Sequence, residues 1–168
     1  NLTTDWSLYV TNRAAALQML ELGATRFTLS PEDGLGNMKP LLAEFGPQAT
    51  VIVYQDTPLF ISEACVHAGA ASCPGPANCA FEKTEMTSSH GDQVIAINRD
   101  CRTIVIGKKP LCLAPRIGDL VSAGAASLRA DFVWRPYTAT EVRDTWRALR
   151  SGKNLPDGHL GNFERGLE

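Results

Sequence analysis

The sequence predicts an α/β protein, a partial TIM-like (β/α) barrel corresponding to a C-terminal half, with an inserted cysteine-rich loop and a β-hairpin. Three observations predict it. Apolar β-type runs alternate with amphipathic helical patterns at the spacing of parallel βα units. The joint Glu21-Leu22-Gly23-Ala24-Thr25-Arg26-Phe27 recurs as Ser122-Ala123-Gly124-Ala125-Ala126-Ser127-Leu128, as expected where each unit solves the same packing problem. Residues 58–107 break the alternation with a different composition. A doubly wound open sheet is the rival arrangement.

Each element has its own justification. Residues 8–10 form a short apolar run, read as a strand. A helix from residue 12 or 13 to 22 gathers Ala15, Ala16, Met19, Leu20 and Leu22 on one face, and Gly23 closes it. Residues 26–29 are the next strand, and Ser30-Pro31-Glu32-Asp33 ends it, with Ser30 placed to cap the next helix. That helix carries Met38, Leu41, Leu42 and Phe45, and stops at Gly46-Pro47. Thr50-Val51-Ile52-Val53-Tyr54 is continuous and β-branched, the pattern of a strand buried on both faces. Residues 63–92 show no period. Residues 93–97 and 103–106 read as a hairpin around Asn98-Arg99-Asp100-Cys101-Arg102. The β/α pattern resumes at 111–113, with a helix near 117–123, a strand at 127–130 and a last helix from Thr138 to Leu149. The organisation expected is a single domain: βα units over 1–57, the cysteine-rich insertion and hairpin over 58–107, βα units over 108–151 and a tail over 152–168.

The 168 residues are 44% hydrophobic and 20% charged, which excludes a disordered or fibrous chain. A net charge of −2 provides no global field for nucleic acid. No apolar run approaches the ~20 residues of a membrane span. A reducing, cytoplasmic compartment is expected. The chain opens without Met, and four or five βα units cannot close an eight-stranded barrel, so a missing N-terminal half of the same protein is expected. Leu167 and Glu168 are either native or the scar before a purification tag. A half barrel leaves open sheet edges, so self-association is expected, and inactivity of this portion alone.

Cys65, Cys73, Cys79 and Cys101 fall in one segment, spaced Cys65-x7-Cys73-x5-Cys79-x21-Cys101, with neither half forming the C-x2-C turn usual for zinc. Irregularly spaced thiolates on a Gly/Pro-rich loop suit an iron–sulfur cluster; zinc, two disulfides and unligated thiols are the alternatives. A loop this poor in apolar residues lacks an ordering force, which a metal centre supplies at about 10 kcal/mol or more. Cys112, between Leu111 and Leu113, reads as a plain buried thiol.

Cys65-Val66-His67-Ala68-Gly69, Cys73-Pro74-Gly75-Pro76-Ala77-Asn78-Cys79, Asp100-Cys101-Arg102 and Pro110-Leu111-Cys112-Leu113 resemble the cysteine segment of the U32 family, historically described as collagenase-type peptidases. Trp134-Arg135-Pro136-Tyr137-Thr138, Glu141-Val142-Arg143 and Gly161-Asn162-Phe163-Glu164-Arg165-Gly166-Leu167 resemble the tail of its long members. The opening Trp6-Ser7-Leu8-Tyr9-Val10-Thr11-Asn12 and Leu29-Ser30-Pro31-Glu32 do so as well. The resemblance implies a TIM-barrel-like domain and a [4Fe–4S] cluster on Cys65, Cys73, Cys79 and Cys101. It also implies an oxygen-independent hydroxylation of tRNA, rRNA or a quinone precursor, with prephenate as hydroxyl source in the RNA-modifying branch. The chain departs from the family's peptidase signature around a Glu-x-Phe and Gly-rich stretch.

Barrel chemistry sits at the C-terminal ends of strands, which nominates Asn12, Ser30, Glu32, Gln55, Asp56, Arg129 and Asp131. Glu32, Arg129 and Asp131 are the catalytic candidates. A guanidinium at position 129 suits a phosphate or a dicarboxylate, or else an ion pair with Asp131. Arg135, Arg143, Arg147, Arg150 and Lys153 give the last helix a basic side for RNA, although Glu141 and Asp144 interleave with them. Trp146 and Leu149 read as core anchors, His67 as a loop or cluster-side residue, His90 as a turn residue and His159 as part of a flexible tail. Three functions follow: an iron–sulfur-dependent RNA hydroxylation enzyme, a U32-type peptidase, and a metal-stabilised binding or scaffolding domain.

Overall fold

The computed structural model describes residues 1–66, 73, 75–79, 83–153 and 155–166. In chain order the described elements are β1 (Thr3–Thr4), α1 (Arg13–Glu21), β2 (Arg26–Thr28), α2 (Leu35–Phe45), β3 (Ala49–Gln55), β4 (Pro58–Ser62), β5 (Lys83–Thr87), β6 (Gln93–Arg99), β7 (Arg102–Gly107), β8 (Leu111–Cys112), α3 (Ile117–Ser122), β9 (Ser127–Ala130) and α4 (Ala139–Ser151). The protein is a mixed α/β structure in two compact units, Asn1–Gln55 with Leu111–Glu168, and Asp56–Pro110.

In the first unit β1, β2, β3 and β9 lie side by side and parallel, in the order they occur along the chain. Helices α1 and α2 link the first three strands, as parallel pairing requires. Every residue of β3 is buried, as its unbroken apolar pattern predicts. Met38, Leu41, Leu42 and Phe45 form the buried side of α2, and Phe45 meets Phe27 of β2 edge-on with ring centres 5.9 Å apart. Each such side chain contributes roughly 1.5–3 kcal/mol by leaving water.

The sequence repeat is a repeat of hydrogen bonds. After α1, Gly23 at φ +94° turns the chain so that the Ala24 amide donates to the Met19 carbonyl at 3.1 Å. After α3, Gly124 at φ +108° lets the Ala125 amide donate to the Leu120 carbonyl at 3.0 Å. Both are helix-closing turns of the kind glycine alone adopts without strain. They differ in their surroundings: a Cβ on Gly23 meets open space, whereas one on Gly124 would lie 2.7 Å from the Leu42 carbonyl oxygen.

Several expectations are corrected. Trp6–Leu8 is a 3₁₀ turn capped by Asp5, and Val10 pairs with Leu29 only as an isolated bridge. Leu22 is exposed and lies past the end of α1 as its C-cap, and within the helix only Ala16 is fully buried. The N-cap of α2 is Gly34, so Ser30 caps no helix and instead accepts from the Glu32 amide at 3.3 Å. β8 pairs antiparallel with the end of β3, which makes it a return strand and not a new βα unit. Trp146 is 49% exposed, while Leu149 is in the core. The tail is docked: the Cys112 amide donates to the His159 carbonyl at 2.8 Å, and Phe163 is buried.

The second unit is a four-stranded antiparallel sheet ordered β4-β7-β6-β5. The hairpin expected around Asp100 and Cys101 is β6 and β7. Its two edge strands are residues 58–62 and 83–87, the latter inside the stretch 63–92 that shows no period. Both edge strands are largely exposed, so no buried face imposes an alternation on their sequences.

A candidate thiol-lined metal centre

The topology of the second unit gathers the cysteines. β4 ends, β5 begins and the β6–β7 turn lies at the same end of the sheet, because Ser62 pairs with Thr103 and Lys83 pairs with Ile97. The loop that carries Cys65, Cys73 and Cys79 therefore leaves and re-enters at the end that displays Cys101.

Asn98 is the point of convergence. It is 1% exposed and pairs with Thr103 across the hairpin. The Cys65 thiol donates to its side-chain oxygen at 3.9 Å, and the Cys79 thiol donates to its backbone carbonyl at 3.8 Å. The Val66 amide donates to the Thr103 hydroxyl at 3.1 Å, and that hydroxyl in turn donates to Asn98 Oδ1 at 3.0 Å. In this arrangement Oδ1 is the end of the amide that accepts. Asn98 Nδ2 is left buried with no hydrogen-bond partner among the described residues, although an unmade bond at a buried polar atom costs about 1–3 kcal/mol.

Asp100 and Cys101 are the two central residues of the tight turn closed by the Arg99–Arg102 pair, at φ +51° and +63°. That geometry favours Asn-Gly or Asp-Gly. A cysteine in the second place costs on the order of 1–2 kcal/mol relative to glycine. Glu63 pairs with Arg102 at 2.9 Å beside the turn, and Arg99 with Asp100 at 3.4 Å. Cys101 and Cys73 are exposed, Cys65 and Cys79 half-buried and Cys112 fully buried, and no disulfide joins any of the five. Among the described residues, no three His, Cys, Asp or Glu side chains stand close enough to share a metal ion. Two sulfurs, those of Cys65 and Cys79, meet at Asn98 beside its unsatisfied amide, and thiolates are the ligand type that soft metals take. Asn98 and Thr103 were missed from sequence. The available signal was a polar amide in a strand-like apolar run, next to the cysteine turn. His67 lies outside the described residues.

A second group of polar residues stands at the strand ends of the first unit. Arg129 Nε donates to Asp131 Oδ1 at 2.6 Å, and Arg129 Nη1 donates to Asp5 Oδ1 at 2.8 Å. Gln55 Nε2 donates to Asp131 Oδ2 at 3.3 Å. Burial lowers the Arg129 pKa, but the hydrogen bonds and charges of Asp131 and Asp5 outweigh it, so the net shift is upward. Its charge is shared between two carboxylates. Glu32 stands apart, accepting from the Tyr9 hydroxyl at 3.2 Å, and its charge raises the Tyr9 pKa with burial and that hydrogen bond adding. Asn12 caps α1 through its side-chain oxygen on the Ala15 amide. Ser30, Gln55 and Asp56 are all buried. On α4, Arg147 pairs with Asp144 at 2.9 Å and Arg143 donates to Thr140 at 3.2 Å, which leaves a salt-bridged surface. His90 is in a turn, and His159 Nδ1 accepts from the Gly161 amide at 2.9 Å.

Comparison of the chain with protein-family models, with curated proteins and with solved structures returned no match.

Proposed function

We propose that the chain is the C-terminal portion of a U32-type (β/α)-barrel enzyme. In this reading its second unit holds a [4Fe–4S] cluster on Cys65, Cys73, Cys79 and Cys101, in the service of an oxygen-independent hydroxylation of tRNA or rRNA. The observation that carries the reading is the convergence of the cysteine loop on the Cys101 turn, with two thiols on Asn98 and the amide beside them unsatisfied.

The barrel half of the proposal rests on strand order. β1, β2, β3 and β9 succeed one another in chain order, as in an arc of a barrel, whereas a doubly wound sheet reverses direction partway. The Arg129–Asp5 pair adds to this. On a flat sheet, positions three strands apart lie about 14 Å from each other. Bridging them takes nearly the full reach of an arginine, a hydrogen bond and an aspartate, so the pair favours a sheet curled toward that face.

Bound there, such a cluster supplies one-electron transfer. The chain's own residues have separate tasks. The four thiols bind it, Thr103 orients the Asn98 amide, and Arg129, Asp131 and Glu32 are the proposed groups for holding substrate at the strand ends. Arg129 would need to give up Asp5 or Asp131 to grip an anion.

Iron, acid-labile sulfide and zinc are measured per chain after anaerobic purification, with absorbance near 400 nm. About four iron and four sulfide, lost in Cys79→Ala or Cys101→Ala, support the reading. One zinc per chain instead makes the site structural and overturns the hydroxylase. RNA from a deletion strain that lacks no hydroxyl group overturns the proposed substrate. Hydrolysis of denatured collagen, abolished by one point mutation, would establish the peptidase in its place.

A further inference from the structure

We infer that the free edge of β4 is a dimerisation surface, on which β4 of a second copy of this chain pairs antiparallel and joins two four-stranded sheets into one of eight. The surface belongs to the second unit alone and does not require a cluster to be bound there.

The two edges of this sheet differ in chemistry. Ala96 pairs with Val105 and Val105 with Phe60, while Ile97 pairs with Ile104 and Ile104 with Ile61. Each row is apolar along its length. It starts from a fully buried residue of β6 and ends on β4 in a side chain more than half exposed, Phe60 at 57% and Ile61 at 62%. Leu59 beside them is 59% exposed. At the other edge the same rows run into Thr84 and Lys83 of β5, and Glu85 there pairs with Lys108 at 2.8 Å. Charged residues, lysine above all, deter the addition of a further strand, so β5 is the guarded edge. From Pro58 to Ser62 β4 has no charged residue, and among the described residues its ladder partner is β7 alone. Leu59, Phe60 and Ile61 together expose on the order of 300 Å², the size at which an apolar patch is often functional.

Apolar side chains stand on both faces of this edge, because successive residues of a strand alternate. A helix laid on the sheet covers one face, whereas a further strand extends both. β4 is itself such a strand. Paired antiparallel about Phe60, two copies set Phe60 opposite Phe60 on one face and Leu59 opposite Ile61 on the other, so the apolar rows continue from sheet to sheet. The flanking acids do not meet: Glu63 comes opposite Thr57, and Asp56 opposite Ala64. β5 paired with itself about its centre would set Glu85 against Glu85, which is unfavourable. A two-fold contact of this kind closes at two copies. It is also short, since Pro58 has no N–H to donate and the register slips between Pro58 and Phe60. The three side chains supply about 600 Å² over both copies, below the roughly 1,200 Å² of a standard interface, so the dimer is weak and concentration-dependent.

The test is sedimentation of the full chain, purified anaerobically with reductant so that no thiol cross-links intrude, from about 1 µM to about 1 mM. Amide exchange is read at both ends of that range. The expected result is a monomer–dimer equilibrium in which the β4 amides gain protection as concentration rises. Phe60→Lys and Ile61→Lys should each weaken the dimer about tenfold or more, while Met86→Lys on β5 leaves it unchanged. Circular dichroism checks that the variants fold, and the wild-type exchange pattern decides the matter if they do not. A monomer at every concentration overturns the inference. So does a dimer that the β4 lysines leave intact, or one whose protection appears at β1, the edge of the first unit's sheet, and not at β4. β4 amides already protected in the monomer overturn it as well, because the edge is then covered within the chain.

Discussion

The two units of this chain reach order by different means. In the first, α2 and the central strand β3 bury Leu42, Phe45, Val51 and Ile52 together with Phe27 and Leu29, and helix-closing glycines repeat at corresponding joints. In the second, the buried apolar residues among those described are Ile95, Ala96, Ile97, Val105 and Ile106, all on the two central strands. Its edge strand β4 exposes Leu59, Phe60 and Ile61. One unit is held by hydrophobic burial; the other spends its loop on cysteines and strains a turn to display one of them. Small domains commonly draw stability from a metal, as the proposed cluster would supply here.

The largest effect expected tests that contrast directly. If the proposed cluster is bound, removing it should withdraw on the order of 10 kcal/mol from the second unit. Amide exchange should then accelerate across β4 and β5 while β3 and α2 stay protected. Uniform loss of protection in both units would erase the contrast. Next in size, Phe27→Ala should cost about 3–5 kcal/mol in the first unit, by removing an aromatic from between β2 and α2. Denaturant melts followed through α2 would read it.

The repeated joints sharpen the comparison inside the first unit. Gly124→Ala should destabilise by about 1–3 kcal/mol, since strain at φ +108° adds to a clash with the Leu42 carbonyl. Gly23→Ala should cost less, because it meets strain alone. Equal costs would mean the close approach at Gly124 relaxes freely. Cys101→Gly should move the other way in the metal-free chain, stabilising the hairpin by about 1 kcal/mol while abolishing metal binding.

The smallest effect concerns α4. Its capping box joins Thr138 and Glu141, and the hydrogen bonds from the Thr138 hydroxyl and backbone amide lower the Glu141 pKa below its ordinary 4.5. The carboxylate's contribution is present above that value and is lost as pH falls through the lower folded one. Exchange of the first-turn amides of α4 should therefore rise below about pH 4.5, and Glu141→Gln should flatten that response.

The same division governs how much was legible beforehand. Periodicity located β3, β9 and α4 within a residue or two, and the buried face and end of α2, because apolar burial writes itself into spacing. It misassigned residues 8–10, where Asp5 caps a 3₁₀ turn through one local hydrogen bond. It also missed β4 and β5, whose strand form follows from pairing with β7 and β6 and not from their own alternation. The direction of β8 depends on which neighbour it pairs with, which no window of sequence contains. At the site, cysteine count and order were readable, and the strained turn at Cys101 was half visible as a hairpin. The unsatisfied amide of Asn98 was not, since satisfaction is a property of surroundings.

The pairing of Gln55 with Leu111 has one more consequence. These two residues flank the whole second unit, and as partners in an antiparallel ladder their Cα atoms lie about 5 Å apart. A two-residue turn spans that gap. Fifty-five residues, Asp56 to Pro110, thus enter and leave the first unit through a doorway one peptide wide. Such an arrangement lets the segment be gained, lost or exchanged between proteins as a cassette, without re-registering a single parallel strand.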